Sequence, residues 1–153
     1  EKVEAFQLTC RKGGKLLPRQ GGRNGKETIG KENAASAVKK FLQAFICSMP
    51  TGKMNSFANR TFPDAVYITI RNDQPVNLCG AFEKPVKKSE NGYAEESEKK
   101  LTEYAKKVYS RYAAEPVFSF CIGDIISEIA ESLSMTELLS KVEETINEKL
   151  NEG

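Results

Sequence analysis

The sequence predicts an α+β fold in which helices pack on a small antiparallel sheet. Three observations predict it. Val38, Phe41, Leu42, Phe45, Ile46 and Met49 recur at helical spacing and form one apolar stripe. Residues 66–71 alternate instead, with Val66, Ile68 and Ile70 pointing one way and Tyr67, Thr69 and Arg71 the other. Ser134-Met135-Thr136-Glu137 is a capping box that opens a terminal helix.

The elements follow in chain order. Residues 4–9 suit a short strand, with Ala5, Gln7 and Thr9 on one face. Residues 11–31 alternate glycine with cations and hold few apolar groups, too few to offset the entropy of ordering them. Residues 1–32 are therefore expected to be a basic, Gly-rich arm, flexible or disordered, and 33–153 the folded α+β part. Asn33 is placed to cap the first helix, and Pro50 and Gly52 stop it. A polar, cationic loop spans 53–63, then a strand at 64–71 and a turn at Asn72-Asp73-Gln74-Pro75. The run 76–82 is extended in character and is expected to return antiparallel as a hairpin. A polar connection covers 84–92. A long helix is predicted over 94–113, with Leu101, Tyr104, Ala105, Val108 and Tyr112 along its stripe. Residues 117–122 are β-prone. At 124–133 two readings stay open, because Ile125, Ile126, Ile129 and Leu133 have helical spacing while the isoleucine content suits an edge strand. The terminal helix buries Leu138, Leu139, Val142, Ile146 and Leu150.

Composition narrows the chemistry. The 153 residues fit one domain, or a domain with an arm, and contain no histidine. That removes Ser-His-Asp and Cys-His catalysis and imidazole-metal sites. Cys10, Cys47, Cys79 and Cys121 are widely spaced with no Cys-x-x-Cys, which argues against zinc ribbons and dithiol redox sites. Reduced thiols of a cytoplasmic protein, mostly small core residues, are the expectation. No metal or cofactor is expected. No apolar run approaches the roughly 20 residues of a membrane span, and no secretory leader opens the sequence. Net charge is +2, but unevenly spread: residues 1–88 carry +9 and residues 89–153 carry −7. Such asymmetry points to a polyanion for one half or to head-to-tail contact between copies; a chance distribution of solvated charge is the plain alternative.

The loop at 52–62 is the most informative local feature. Lys53 and Arg60 offer charge to phosphates, Asn55, Ser56 and Asn59 offer hydrogen bonds to sugar and phosphate oxygens, and Phe57 and Phe62 offer faces for stacked bases. The alternative is that the two rings plug the core while the polar groups cap the helix. Gly52-Lys53 is not a phosphate loop, because it follows a helix rather than a strand. Asp64, Asp73 and Glu83 serve turns and strand ends better than acid–base work. Ser56 with Lys53 is a formal dyad only.

Four segments together resemble a known family: Met49-Pro50-Thr51-Gly52-Lys53-Met54-Asn55-Ser56-Phe57-Ala58, Pro63-Asp64-Ala65-Val66, Asp73-Gln74-Pro75-Val76-Asn77-Leu78 and Ala81-Phe82-Glu83-Lys84-Pro85-Val86. The chain is similar to the carboxyl-terminal part of the CasC family, the repeated backbone subunit of the type I-E CRISPR Cascade complex, over roughly 33–153. The resemblance implies a partial RNA-recognition-motif-like (ferredoxin-like) domain and a non-enzymatic role in antiviral defence. It implies guide RNA, other copies of the chain and other Cascade subunits as partners, with target DNA met through the guide. Lys53, Asn55, Ser56, Phe57, Asn59 and Arg60 would then contact RNA. Lys84, Lys87 and Lys88 would either extend that groove or form a solvated turn. The alternative is a protein-interaction fragment that self-associates, or packs on other subunits, without binding RNA alone.

Overall fold

The computed structural model describes residues 4–9, 30–47 and 62–151. In chain order these hold β1 (Glu4–Thr9), α1 (Lys31–Cys47), β2 (Val66–Arg71), α2 (Ala94–Arg111), β3 (Phe118–Ile122), β4 (Glu131–Ser132) and α3 (Met135–Asn151). The strands form one sheet in the order β1-β2-β3-β4. It is an α+β arrangement compatible with a partial ferredoxin-like fold.

Connectivity explains the mixed sheet. A helix separates β1 from β2, and such a crossover returns the chain parallel. Glu4 accordingly aligns with Val66 and Thr9 with Arg71. β3 runs antiparallel to β2, from Val66 opposite Ile122 to Ile70 opposite Phe118. β4 adds a short parallel edge beside Phe120 and Cys121.

β2 is buried along its whole length because both faces of the sheet are covered. On one face Val66, Ile68, Ile70 and Phe120 meet Leu42 and Ile46 of α1 and Leu138, Val142 and Ile146 of α3. On the other, Tyr67 and Cys121 meet Leu101 and Ala105 of α2, with Leu78 and Ile126. The alternation read from 66–71 is thus the partition between two cores. The capping box forms as expected: the Ser134 backbone N–H and hydroxyl both donate to Glu137 Oε2, at 3.0 and 2.6 Å, and the Glu137 N–H points back at the Ser134 hydroxyl at 3.4 Å.

Five expectations need correction. Of the described cysteines Cys121 is buried, whereas Cys47 and Cys79 are exposed, so the thiols are not mostly core residues. Residues 76–82 do not pair as a hairpin: Cys79–Phe82 is a 3₁₀ turn, and Leu78, Ala81 and Phe82 pack on α2. The first helix starts at Lys31, two residues ahead of Asn33, and the Asn33 and Ala34 N–H groups donate to the Gly30 carbonyl. Its stripe is narrower than predicted. Ala35, Leu42 and Ile46 are buried, whereas Phe41 and Phe45 lie on an exposed flank, stacked on each other at 6.2 Å. Tyr112 follows the end of α2 and is 78% exposed. At 124–133 each open reading holds in part, as a 3₁₀ turn at Ile125–Glu128 and the edge strand β4.

Candidate nucleic-acid interface

Lys53, Asn55, Ser56, Phe57, Asn59 and Arg60 lie outside the described residues. The structure places the two ends of the segment that carries them. α1 joins parallel strands, so it runs against them and delivers Cys47 to the end of the sheet where β2 begins. Ile46, one residue before, is anchored in the core of α1 and α3. On the return side Ala65 and Val66 are buried, while Phe62, 64% exposed, stands outside the core. The core-plug reading therefore fails for Phe62. The described residues on either side of the segment, Ile46 before it and Ala65 and Val66 after it, are thus buried apolar anchors at one end of the sheet.

A second set of cations reaches the same end from the opposite face. Val66, the first residue of β2, lies beside Ile122, the last of β3. Just beyond, the Ile125 and Ile126 N–H groups donate to the buried Glu98 carboxylate of α2, at 2.9 and 3.3 Å. Gly123 permits this link. Its φ is +135°, and a Cβ there would stand 2.8 Å from Glu98 Oε2. The first turns of α2 are thereby fixed over this end of the sheet. Two residues on, Lys100 donates to the carbonyls of Lys84 and Pro85, at 3.0 and 3.2 Å. Lys84, Lys87 and Lys88 are all exposed. The sequence singled out these three lysines but gave no sign of Lys100, which acts through backbone carbonyls fifteen and more residues away.

Arg71 is the other residue whose role the alternation pattern missed. Its side chain is 1% exposed and clamps the opposite end of the sheet. Nε and Nη2 donate to the two carboxylate oxygens of Asp73, each at 2.7 Å, and further bonds reach the carbonyls of Gln74 and Ala114. The Tyr109 ring lies 5.7 Å from the guanidinium carbon. The hydrogen bonds and charge of Arg71 hold the Asp73 carboxyl below its ordinary range, which makes Asp73 a structural partner rather than a poised acid. An arginine ending a strand two residues before an aspartate was the available signal. Burial raises the Tyr67 hydroxyl, helped by Tyr109, and pushes the Cys121 thiol up to about 11. Among the described residues no cluster of three His, Cys, Asp or Glu is placed to hold a metal, and no helix is long and apolar enough to cross a membrane.

Residues 15–151 match the sequence pattern of the CT1975-like proteins, a CRISPR-associated family. The chain belongs to the CT1975-like family. Its match begins ahead of Asn33, inside the segment read from sequence as an arm. Two solved structures are similar to this CT1975-like chain. One is a chain of a CRISPR RNA-guided surveillance complex, 26% identical over 72% of this chain and 45% of that one, with a TM-score of 0.58. Another is a chain of a CRISPR RNA-guided surveillance complex described as pre-nicking, 25% identical over 75% of this chain and 36% of that one, with a TM-score of 0.62. The chain thus spans less than half the length of either. No curated protein matches it.

Proposed function

We infer that this chain is the carboxyl-terminal part of a guide-RNA-binding backbone subunit of a CRISPR interference complex, of the CasC type found in type I-E Cascade. The observation that carries the reading is the likeness, over about three quarters of the chain, to chains of CRISPR RNA-guided surveillance complexes. Family membership and the cations, amides and rings of the 52–62 sequence support it. In this reading the subunit is non-enzymatic and cytoplasmic. Lys53 and Arg60 neutralise guide phosphates, Asn55, Ser56 and Asn59 donate to sugar and phosphate oxygens, and Phe57 stacks or wedges. Other copies and other Cascade subunits flank it, and target DNA is met by pairing with the guide.

Binding of the chain to single-stranded RNA across a salt series tests this. Affinity is expected to fall as salt rises, and Lys53→Ala with Arg60→Ala is expected to reduce the slope of log K against log salt by about 1.4, at ~0.7 per lost contact. Salt-independent binding, or an unchanged slope in the double variant, would remove the loop from the interface.

The partial span favours a second reading, in which the chain contributes packing surface and RNA contact needs the rest of the subunit. A chain that self-associates in light scattering yet shows no affinity for RNA at low salt would select it.

A further inference from the structure

Some cations of the described surface are neutralised and some are not. The ion pairs among the described residues join Lys39 to Glu143, Arg71 to Asp73 and Lys106 to Glu128. Lys84, Lys87 and Lys88 belong to none of them, and all three are exposed. The backbone beneath them is held on both sides. Lys100 fastens the carbonyls of Lys84 and Pro85 to α2. Beyond Lys88, Ser89 and Gly92 exchange backbone hydrogen bonds of 3.0 and 3.2 Å, and the Ser89 hydroxyl donates to the Gly92 carbonyl at 2.9 Å. Gly92 closes this turn at φ +94°, where a side chain would be strained. The three ammonium groups therefore stand on a segment that is ordered before any partner arrives, which lowers the entropy lost on binding.

We propose that Lys84, Lys87 and Lys88 form a phosphate-contacting surface for a single nucleic-acid strand, distinct from the loop at 52–62. The proposal rests on the nucleic-acid reading above and adds a second contact to it. The surface sits on the α2 face of the sheet, whereas the loop departs from α1 on the other face. A lysine ammonium is a strongly hydrated point charge that suits phosphate oxygens and reads no base. An acidic protein partner fits less well. Lysine is depleted at protein interfaces, whose centres need apolar anchors, and the apolar neighbours within the segment are an exposed Pro85 and a half-buried Val86. Glu83 and Glu90 flank the lysines, so the positive field is confined to the stretch between them.

The test uses the whole chain and one labelled oligonucleotide, made as RNA and as DNA, titrated across salt. Three variants are compared: Lys84→Ala/Lys87→Ala/Lys88→Ala, the same positions changed to Arg, and Lys53→Ala/Arg60→Ala. The triple alanine variant is expected to bind at least roughly tenfold more weakly at moderate salt and to flatten the log–log salt slope by about 2, for three contacts at ~0.7 each. The arginine variant should restore both, and the losses from the alanine triple and the loop pair should multiply. Equal losses with RNA and DNA indicate backbone contact alone; a loss with one of them names the strand. Wild-type affinity and slope in the alanine triple, while the loop pair still loses binding, overturn this surface and leave the guide-binding reading standing. The reverse pattern removes the loop and retains the surface. Self-association lost in the alanine triple with nucleic-acid binding intact points to an acidic protein partner and overturns the proposal.

Discussion

The two faces of the sheet are built on different principles. The face under α1 and α3 is closed by aliphatic side chains, with Leu42, Ile68, Ile70, Leu138, Val142 and Ile146 at its centre. The face under α2 mixes apolar residues with buried Tyr67, Thr69, Arg71, Glu98 and Thr102. Apolar packing is non-directional and supplies most of the stability. Buried polar groups fix geometry instead, because each must reach specific partners. On the α2 face Glu98 and Arg71 do this for irregular segments, Glu98 holding the turn after β3 and Arg71 holding residues 73–74 and 114, while the Tyr67 hydroxyl meets that of Tyr109 and the Thr102 hydroxyl is buried without a partner among the described residues. The first face keeps the domain folded, and the second determines where its connecting segments lie.

Substitutions on the two faces should therefore differ in kind as well as in size. The largest loss is expected from Ile68→Ala, which opens a cavity between β2 and the two helices and should cost about 3–4 kcal/mol in urea unfolding. Gly123→Ala should cost about 2–3 kcal/mol, since it combines a disfavoured φ with a Cβ against Glu98 Oε2 and 3.1 Å from Ile126. Its effect should also be local: amide exchange at Ile125 and Ile126 should accelerate more than exchange in α3, whereas Ile68→Ala should raise exchange throughout. Uniform acceleration in the Gly123 variant would mean that the α2 face is not a separate positioning layer. Arg71→Met should cost about 2 kcal/mol, less than the cavity, because the bonds to two carbonyls are lost while the apolar stem stays. Part of that cost is offset, because Nη1 of Arg71 is buried without a hydrogen-bond partner.

The same contrast explains what could be read in advance. The aliphatic face was legible because periodicity reports it directly: the alternation at 66–71, the spacing of Leu138, Val142 and Ile146, and the Ser134/Glu137 box are each local patterns. The α2 face was not, because its contacts join residues far apart in the chain. Residues 76–82 have strand-like composition, yet Gly80 lies so close to Tyr104 that a Cβ there would collide with the ring hydroxyl. Close approach to a helix, not strand pairing, explains that glycine. Phe41 and Phe45 illustrate the reverse error, since helical spacing counted them into a stripe whose buried width ends at Leu42 and Ile46. For the proposed interface, only the residue types of the loop and of Lys84, Lys87 and Lys88 were legible. Their support by Lys100 was not, because a lysine–carbonyl bond leaves no mark in spacing.

The smallest effect is the most specific. Ser134→Ala should destabilise the chain by about 1 kcal/mol at neutral pH, the usual cost of losing a helix cap. Its pH dependence separates the cap from general loss of packing. Hydrogen bonds from the Ser134 hydroxyl and N–H hold the Glu137 carboxyl below its ordinary value. A folded pKa below the unfolded one means that the contribution is fully present above the ordinary carboxylate range, near pH 4, and is lost as pH falls through the folded value. Removing the hydroxyl relaxes Glu137 toward its ordinary value, so the stability gap between variant and wild type should narrow as pH is lowered from 5 toward 3. Asp73→Asn should flatten the same acid limb through Arg71, whose hydrogen bonds lower the Asp73 carboxyl in the same sense. The two variants combined should act additively, because Ser134 opens α3 on the aliphatic face and Asp73 braces a clamp on the α2 face. A gap that stays constant with pH would assign the cost of Ser134→Ala to packing and would remove the capping box as a source of stability.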